Sequence, residues 1–434
     1  MTTPSPAAPA ARSTVPASPS STATASGNIG ATGDRFPWLP ILALGAAGFL
    51  GLTVELSPAG LLGEIARDLD VSLAAVGTLT TFFALGNALL ILPLTALALR
   101  FVRRTALVSV MAAFVISNIV VAATPTIAVA DIGRFIGGGS YAVLCALVPA
   151  VAVRMAGPRY TGRALTITIG ANTLGMALGA PLASLTGDAF GWRMVFLAAA
   201  GIAVLLAVLL SLTVPHLRSA PEHRVPLLEA MRLPGLLRVA GGWSLLMLGH
   251  FVVLTYIDAY LHDLGVAAFV TSIALFVLGA GGVLGVVLIG RLAQRSLFAA
   301  LIAAPAVVAV AFAVLALHSP ALPVVLGAIT LWGIGFSATV MVYQQALLQV
   351  GQKAPETATS IGVLLSQIGF AIGATLGGVV VETLGVTALP IVAATVALAT
   401  IALATTLRPT IEKARAKAQA DAAARTATPI PAGR

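Results

Sequence analysis

Residues 39–62, LPILALGAAGFLGLTVELSPAGLL, contain one ionisable side chain, Glu55, in 24 consecutive positions. An α-helix rises 1.5 Å per residue, so about 20 apolar residues cross a hydrocarbon core about 30 Å thick. This stretch is therefore long enough to span a bilayer. A carboxyl group inside such a span is costly and is usually functional. We predict a transmembrane helix that carries a functional acid.

The rest of the chain continues this pattern. Of its 434 residues, 59% are hydrophobic and 9% are charged, against roughly 25% charged in soluble domains, and its mean hydropathy is +1.02. Breaks at charged, Gly or Pro clusters divide the chain between Trp38 and Arg408 into twelve apolar spans: 39–62, 73–98, 105–124, 126–153, 164–187, 193–214, 239–261, 268–290, 297–317, 321–348, 359–381 and 386–407. The sequence predicts an all-α integral membrane protein with twelve transmembrane helices.

Three polar segments flank or separate these spans. Residues 1–37 are rich in Ser, Thr, Ala and Pro and lack the apolar core of a signal peptide, so we expect a disordered cytoplasmic tail. Residues 215–238 form the longest inner loop, and we expect them to link two six-helix bundles at 38–214 and 239–408. Residues 409–434 are expected to form a second cytoplasmic tail.

The basic residues indicate which side of the membrane each loop faces. With both tails in the cytoplasm, the outer loops contain only Arg67 and Arg193. The inner loops then contain thirteen basic residues: Arg100, Arg103, Arg104, Arg154, Arg159, Arg163, Arg218, Arg224, Arg232, Arg238, Arg291, Arg295 and Lys353. This positive-inside distribution predicts a multi-pass protein of the inner (cytoplasmic) membrane with both termini inside. The net charge of +9 then reflects contact with anionic lipid rather than nucleic acid, because the charges are dispersed without interleaved aromatic residues.

The chain also contains an internal repeat. Residues 174–182, LGMALGAPL, match residues 368–376, IGFAIGATL, at an offset of 194. Residues 100–104, RFVRR, match residues 291–295, RLAQR, at an offset of 191. Both matches fall at equivalent positions of six-helix halves. We therefore predict two six-helix pseudo-repeats in the same orientation, related by an axis along the membrane normal.

Arg134 is the second charge that the sequence places deep in the membrane. Counted from the outer ends of their spans, Glu55 lies about 10 Å deep and Arg134 about 12 Å deep, so facing helices would bring the two together. In the alternative, Pro58 bends the first span and leaves Glu55 at the interface, while Arg134 extends toward water. We predict a charge pair with a proton-coupling or substrate-binding role.

The seventh span supplies further candidates for a cavity or substrate site. His250 is expected about 16 Å deep, where an imidazole can exchange protons near neutral pH or stay neutral and bonded to a neighbouring helix. Tyr256 and Asp258 follow toward the outer end, where tyrosine and carboxylate side chains also occur as interfacial residues. Cys145, the one cysteine of the chain, is expected mid-helix among small residues and slow to react with polar maleimides.

At five places the sequence resembles the major facilitator superfamily, and within it the twelve-helix drug:proton antiporter group that includes bacterial sugar and drug efflux permeases. The segments are 51–71 (GLTVELSPAGLLGEIARDLDV), 134–139 (RFIGGG), 175–181 followed by 191–193 (GWR), 249–251 (GHF) with 255–257 (TYI), and 331–335 (LWGIG). The resemblance implies the major facilitator fold, with a cavity lined by the first, fourth, seventh and tenth spans. It also implies a bend motif in the fifth span, at Gly175, Gly179 and Pro181. A gating loop is implied after the second span, at Arg100, Arg103 and Arg104. The sequence departs from the group's pattern at Leu99 and Gln294, where an acid is common, and at Ala183, where Gly is common.

Together these features predict a secondary active transporter that exports a small organic molecule, such as a drug or a sugar, in exchange for protons by alternating access. The alternatives are a proton-coupled importer or facilitator of a nutrient, and a non-transporting membrane receptor or scaffold. No metal-ligand spacing, nucleophile elbow or Walker sequence occurs, and the glycine clusters lack the strand-to-helix context of phosphate loops. We expect neither an enzyme nor a bound cofactor or metal. The expected partners are the substrate, protons and membrane lipid, and the expected state is a monomer.

Overall fold

The computed structural model describes residues 36–98, 100–215, 229, 231–352, 354–413 and 416. In this part of the chain the regular elements are helices: α1 Trp38–Leu56, α2 Leu62–Leu69, α3 Leu73–Ala98, α4 Arg103–Ala123, α5 Ile127–Phe190, α6 Trp192–Thr213, α7 Leu236–Leu254, α8 Ile257–Asp263, α9 Ala268–Arg295, α10 Leu297–Leu315, α11 Leu322–Val350, α12 Pro355–Leu384 and α13 Leu389–Thr405. Eleven helices of the described part are long and apolar enough to cross a membrane. This confirms the prediction of an all-α integral membrane protein. Most of the expected tails and linker, at 1–35, 216–228, 230, 414, 415 and 417–434, lies outside the described residues.

The helix α5 is 64 residues long, about 96 Å at the α-helical rise and more than three times a hydrocarbon core. At Gly157 its backbone leaves the helical region, with φ 70° and ψ 174°. The residue before a proline is disfavoured in the α conformation, and a positive φ is available to glycine without strain, so Gly157 followed by Pro158 ends one helix. α5 therefore consists of two limbs, 127–156 and 158–190.

Contacts with α1 give the directions of the two limbs. In the first limb, residues with higher numbers contact residues of α1 with lower numbers, so this limb runs antiparallel to α1. In the second limb, residues with higher numbers contact residues of α1 with higher numbers, so this limb runs parallel to α1. The contacting residues are Arg134 with Val54, Tyr141 with Gly51, Asn172 with Gly48, and Gly179 with Thr53. The two limbs are therefore antiparallel to each other, and α5 reverses direction at Gly157.

A broken helix occurs at the start of each half of the chain. α1 and α7 are each 19 residues long and each is followed at once by a short helix, α2 or α8. The break after α1 is a 3-10 turn, Ser57–Gly60. The break after α7 lies at Thr255 and Tyr256. The same order of long helix, break and short helix thus recurs, as the internal repeat of the sequence predicts.

The turn between α5 and α6 is held against α2. Gly191 takes a φ of 87°, which points the first N–H of α6 toward two acids on one face of α2. The Trp192 amide donates to Glu64 Oε1 at 2.9 Å, the Trp192 indole donates to Asp68 Oδ2 at 3.1 Å, and Arg193 forms an ion pair with Asp68. The hydrogen bonds from Arg193 and Trp192 hold the pKa of Asp68 below its ordinary value. The Gly-Trp-Arg segment is therefore a docking turn for the short helix.

The helices divide into an N-terminal half, α1–α6, and a C-terminal half, α7–α13. Within one compact unit, Pro37–Arg434, the halves pack through α3 against α12 and α5 against α9. Hydrogen bonds between them include Gly63 N to Asp258 Oδ2 at 3.3 Å, Ser72 Oγ to Glu382 Oε1 at 2.8 Å, Thr81 Oγ1 with Thr375 Oγ1 at 3.1 Å, Ser272 Oγ to Ser184 Oγ at 2.9 Å, and Gln367 Nε2 to Glu55 Oε1 at 3.4 Å. All but the last lie toward the ends of the helices that meet α2 and α8. The halves are therefore joined on that side, and the Gln367–Glu55 contact is the deepest of this set.

Candidate functional site

Arg134 lies at the centre of the N-terminal half, with 1% of its surface exposed. All of its hydrogen bonds go to main-chain carbonyls. Nη1 donates to Val54 O at 2.7 Å, Nη2 to Glu55 O at 3.0 Å, and Nε to Leu79 O at 3.0 Å. The guanidinium carbon also lies 4.2 Å from the centroid of the Phe83 ring. The fixed fork of an arginine suits three such acceptors, so each of the three nitrogens has a partner although the charge is buried.

The break after α1 explains why the Val54 carbonyl is available. In a continuous helix the Val54 carbonyl would accept from the amide of Pro58, but proline has no N–H. Arg134 Nη1 takes the place of that missing donor. Pro58 and Arg134 are therefore two parts of one structure. The proline frees a carbonyl inside the membrane, and the arginine satisfies it.

The Glu55 side chain is also buried, with 5% exposure. Glu55 and Arg134 are adjacent, as their depths suggested, but the bond between them goes to the Glu55 main chain. The Glu55 carboxylate instead accepts from Gln367 Nε2 on α12, at 3.4 Å. The charge that can change on protonation thus lies where the two halves meet. Neither side chain extends to water, in contrast to the interfacial alternative.

A third ionisable side chain, Asp131, lies one helical turn from Arg134 on α5. It is 8% exposed, and Thr78 Oγ1 lies 2.9 Å from both of its carboxyl oxygens. Asp131 does not stand out in the sequence, because its depth from the end of the fourth span is small. Its three-residue spacing to Arg134 is the available signal. Gln367 has no such signal in the sequence, because an uncharged amide in an apolar span does not stand out.

His250 sits in an aromatic cluster of the C-terminal half. Its Nδ1 accepts a hydrogen bond from Trp332 Nε1 at 3.0 Å. Its ring stacks on Phe336 with centroids 3.5 Å apart and meets Phe251 edge to face. A nitrogen that accepts from an indole N–H carries no proton itself. This geometry agrees with the neutral imidazole bonded to a neighbouring helix.

Tyr256 and Asp258 lie at the junction of the halves rather than in an open cavity. Tyr256 is fully buried and donates from its hydroxyl to Ala374 O at 3.0 Å. Asp258 accepts from the Gly63 amide of α2 and, at 3.4 Å, from Thr271 Oγ1. A carboxylate is favourable at the N-terminal turn of a helix, where free N–H groups point outward. Asp258 therefore caps a helix of the opposite half, and a role of Tyr256 or Asp258 in the substrate cavity remains a prediction.

The expected bend motif of the fifth span lies in the second limb of α5. A Cβ atom at Gly175 would lie 2.9 Å from Phe49 O, and one at Gly179 would lie 2.7 Å from Thr53 Cα. Both glycines therefore allow α5 to approach the backbone of α1 closely. Pro181 is buried within the same limb. The pattern serves helix packing here, and a bending role during transport remains a prediction.

The expected gating loop is the turn between α3 and α4. Arg100 is exposed, Arg103 is buried at the first residue of α4, and Arg104 is half-buried. Leu99, the position where an acid is common, lies outside the described residues. The three arginines share the end of the helices opposite to α2, and their gating role remains a prediction.

A small cavity opens between α1 and both limbs of α5. It lies closer to the end of the limbs at Gly157 than the Glu55 side chain does. Its lining is Gly48, Leu144, Cys145, Val148, Pro149, Thr168, Ile169 and Asn172. Among the residues that the structure describes, Asn172 Oδ1 is buried there without a hydrogen-bond partner. Cys145 is exposed, which corrects the expectation that small neighbours would shield it. The physical reason is its position eleven residues from Arg134, three turns along the same face of α5, where that face leaves the packed interior and meets the cavity.

Comparisons with known proteins agree with this geometry. The chain matches the family model of the Major Facilitator Superfamily over residues 41–364. It is 31% identical, over 362 residues, to a protein of Mycobacterium tuberculosis named chloramphenicol efflux pump, in strains CDC 1551 / Oshkosh and ATCC 25618 / H37Rv. The match covers 80% of this chain and 88% of the relative.

Solved transporter structures share the fold. A bacterial homologue of the human lysosomal transporter Spinster, in an inward-facing and unoccupied conformation, aligns with a TM-score of 0.73 and 16% identity over 88% of this chain and 99% of that one. The nucleoside transporter NupG aligns with a TM-score of 0.70 and 16% identity over 85% and 99% of the two chains. The family match spans more than half of the chain and runs from α1 into α12, and on these grounds the chain belongs to the Major Facilitator Superfamily of membrane transporters.

Proposed function

We propose that this transporter exports a small organic molecule in exchange for protons, by alternating access. The observation that supports this most is the Glu55 carboxylate, buried at the deepest hydrogen bond between the halves and paired there with an amide. A buried carboxylate without a cation in contact is costly, and a bound proton removes that cost. Protonation therefore favours the arrangement in which the α2 and α8 side is closed. Opening that side hydrates the acid and favours the ionised form.

The energy available is sufficient for export. Moving one charge across ~100 mV yields about 2.3 kcal/mol. This corresponds to roughly a 50-fold concentration ratio for each proton exchanged. A single titrating acid at the junction is therefore enough for useful efflux.

The topology is part of the proposal. Eleven membrane helices, one of which reverses at Gly157, correspond to twelve crossings in two six-helix bundles. An even number of crossings puts both termini on one side, and the basic inner loops favour the cytoplasm. In an inner membrane, a cytoplasmic reporter fused after Arg434 should be active, and a reporter that requires export should be inactive. The reverse pattern would overturn the orientation.

Chloramphenicol is the first substrate to test, because the similar mycobacterial protein is named a chloramphenicol efflux pump. The cavity beside Asn172 is too small for a whole drug molecule, but it offers a neutral substrate one polar contact. Its walls are mainly apolar, and among the described residues the Asn172 oxygen has no hydrogen-bond partner, so it can accept from a hydroxyl or amide donor. Sugars and other drugs remain to be compared with it in the same assay.

The test is uptake of labelled chloramphenicol by inverted vesicles that contain the purified transporter. With the lumen acidic, protons leave the lumen as substrate enters, so accumulation above the external concentration is expected. A protonophore should abolish it. An importer would instead lose preloaded substrate under the same gradient. A receptor would give no flux in either direction.

The single cysteine provides a test of which side is open. We expect a polar maleimide to label Cys145 faster in inverted vesicles than in right-side-out vesicles, because the cavity lies on the cytoplasmic side of the contacts between the halves. Chloramphenicol should slow the labelling if it occupies that cavity. The control is Cys145→Ser, which should not be labelled. Faster labelling from the outer side would contradict the proposed orientation of the cavity.

A further inference from the structure

Asp131 and Thr78 form a buried contact that lies apart from the Glu55 carboxylate. Thr78 Oγ1 lies 2.9 Å from Asp131 Oδ1 and 2.9 Å from Oδ2. It also lies 2.5 Å from the Ala75 carbonyl oxygen, one turn earlier on α3. One hydroxyl oxygen is thus within hydrogen-bond distance of three acceptor oxygens.

The protons of this group can be counted. A threonine hydroxyl has one proton, whereas a carbonyl oxygen and an ionised carboxylate have none to give. If Asp131 is ionised, the Ala75 carbonyl and the carboxylate compete for that one proton, and one of these two groups is left in close contact with the hydroxyl oxygen without a proton between them. If Asp131 is protonated, its O–H donates to Thr78 Oγ1 and Thr78 donates to Ala75 O. The carboxyl group and the carbonyl then each share a hydrogen bond with Thr78.

The surrounding charges lead to the same assignment. Arg134, on the same helix, is the cation nearest to both Asp131 and Glu55, and its donors are directed at carbonyls. α3 carries no charged residue, and on α12, which packs against α3, Glu382 is bonded to Ser72. α4 and α9 carry their charges only at their far ends, Arg103, Arg104, Arg291 and Arg295, and Arg193 at the start of α6 is paired with Asp68. Two ionised acids would therefore share one cation, and a proton on one of them would leave this group neutral.

We propose that Asp131 is a second proton-binding group, so that the transporter exchanges two protons for each substrate molecule, one at Glu55 and one at Asp131. Only the Glu55 carboxylate bonds the opposite half, so its titration drives the change of opening, and the proton at Asp131 is exchanged only when that change occurs. This rests on the proposed proton-coupled export. Asp131 is four residues from the start of α5, about 6 Å along the helix, and so is the nearer of the two acids to the outer surface. Arg134 lies between them and responds to the charge of both.

The experiment measures the ratio of protons to substrate in reconstituted full-length protein. With the membrane potential clamped at zero, the chloramphenicol gradient at which net flux stops is determined over a series of pH gradients. For a neutral substrate, two protons change this limiting ratio about 100-fold per pH unit, and one proton changes it about 10-fold. We expect the limiting ratio to change about 100-fold per pH unit for the wild type and about 10-fold for Asp131→Asn. The asparagine amide can still donate to Thr78 Oγ1, which can still donate to the Ala75 carbonyl.

Thr78→Val is the matched variant, because it removes the hydroxyl and retains the acid. It should keep the 100-fold dependence while shifting the pH of half-maximal flux. A wild-type dependence of about 10-fold would overturn the inference without any variant, and so would an unchanged 100-fold dependence in Asp131→Asn. If the wild-type flux does not depend on the pH gradient, the proposed function itself is overturned, and so is the proposal that Asp131 binds a second proton.

Discussion

Glu55→Gln is expected to abolish pH-driven accumulation of substrate while leaving substrate exchange largely intact. Glutamine preserves the volume of the side chain and its hydrogen-bonding capacity opposite Gln367, but it cannot titrate. The variant should therefore behave as a permanently protonated carrier, which moves between its two openings only with substrate bound. The measurement is uptake into inverted vesicles under an imposed pH gradient, alongside counterflow of labelled against unlabelled substrate, at matched protein density.

Glu382→Gln is the control for this prediction. Glu382 also accepts a hydrogen bond between the halves, from Ser72, but it lies at the exposed end of α12. Its loss should leave pH-driven uptake in place. If Glu55→Gln accumulates substrate as the wild type does, the assignment of the coupling acid fails. Asp131, His250 or Asp258 would then be the leading coupling site.

Arg134→Ala is expected to cause the largest loss of stability. It leaves the carbonyls of Val54, Glu55 and Leu79 without their side-chain donor. A buried polar group without a partner costs ~1 to 3 kcal/mol, and breaking a buried charge site from one side typically costs ~3 to 5 kcal/mol. Arg134→Lys retains the charge but presents its protons from a single nitrogen, so it cannot reproduce the fork. It should fall between alanine and wild type.

The measurement is the temperature at which detergent-solubilised transporter loses its monodisperse peak in size-exclusion chromatography. Arg238→Ala, at an exposed position of α7, is the control and should melt as the wild type does. A wild-type melting temperature for Arg134→Ala would mean that the arginine does not hold the end of α1. Equal losses for alanine and lysine variants would point to fork geometry rather than charge as the essential property.

Hydropathy and spacing predicted the helices well, because the need to satisfy every backbone group in lipid leaves little choice of element. The same reasoning placed Glu55 and Arg134 at one depth, since the helical rise converts residue number directly into height. It could not give rotation about each helix axis. For that reason the sequence predicted two side chains in contact, whereas the guanidinium meets the main chain and the carboxylate meets Gln367.

Apart from Asp131, the partners that the sequence missed are uncharged. Gln367, Thr78 and the free carbonyls near Pro58 leave no trace in composition or charge pattern, although they determine what each buried charge does. His250 and Tyr256 were selected for their chemistry and depth, but their surroundings depend on helices far away in sequence. Cys145 was expected to be shielded because its neighbours along the chain are small, and its exposure depends on the gap between α1 and the two limbs of α5.

The most direct test of proton-coupled export measures protons rather than substrate. Inverted vesicles with a pH dye trapped in the lumen, and no initial pH gradient, are given an inward gradient of chloramphenicol. Proton-coupled export predicts that the lumen becomes alkaline as substrate enters in wild type, and that it stays unchanged in Glu55→Gln even though substrate exchange persists. An acidifying lumen, or a wild-type lumen whose pH does not respond to substrate entry, would contradict proton-coupled export.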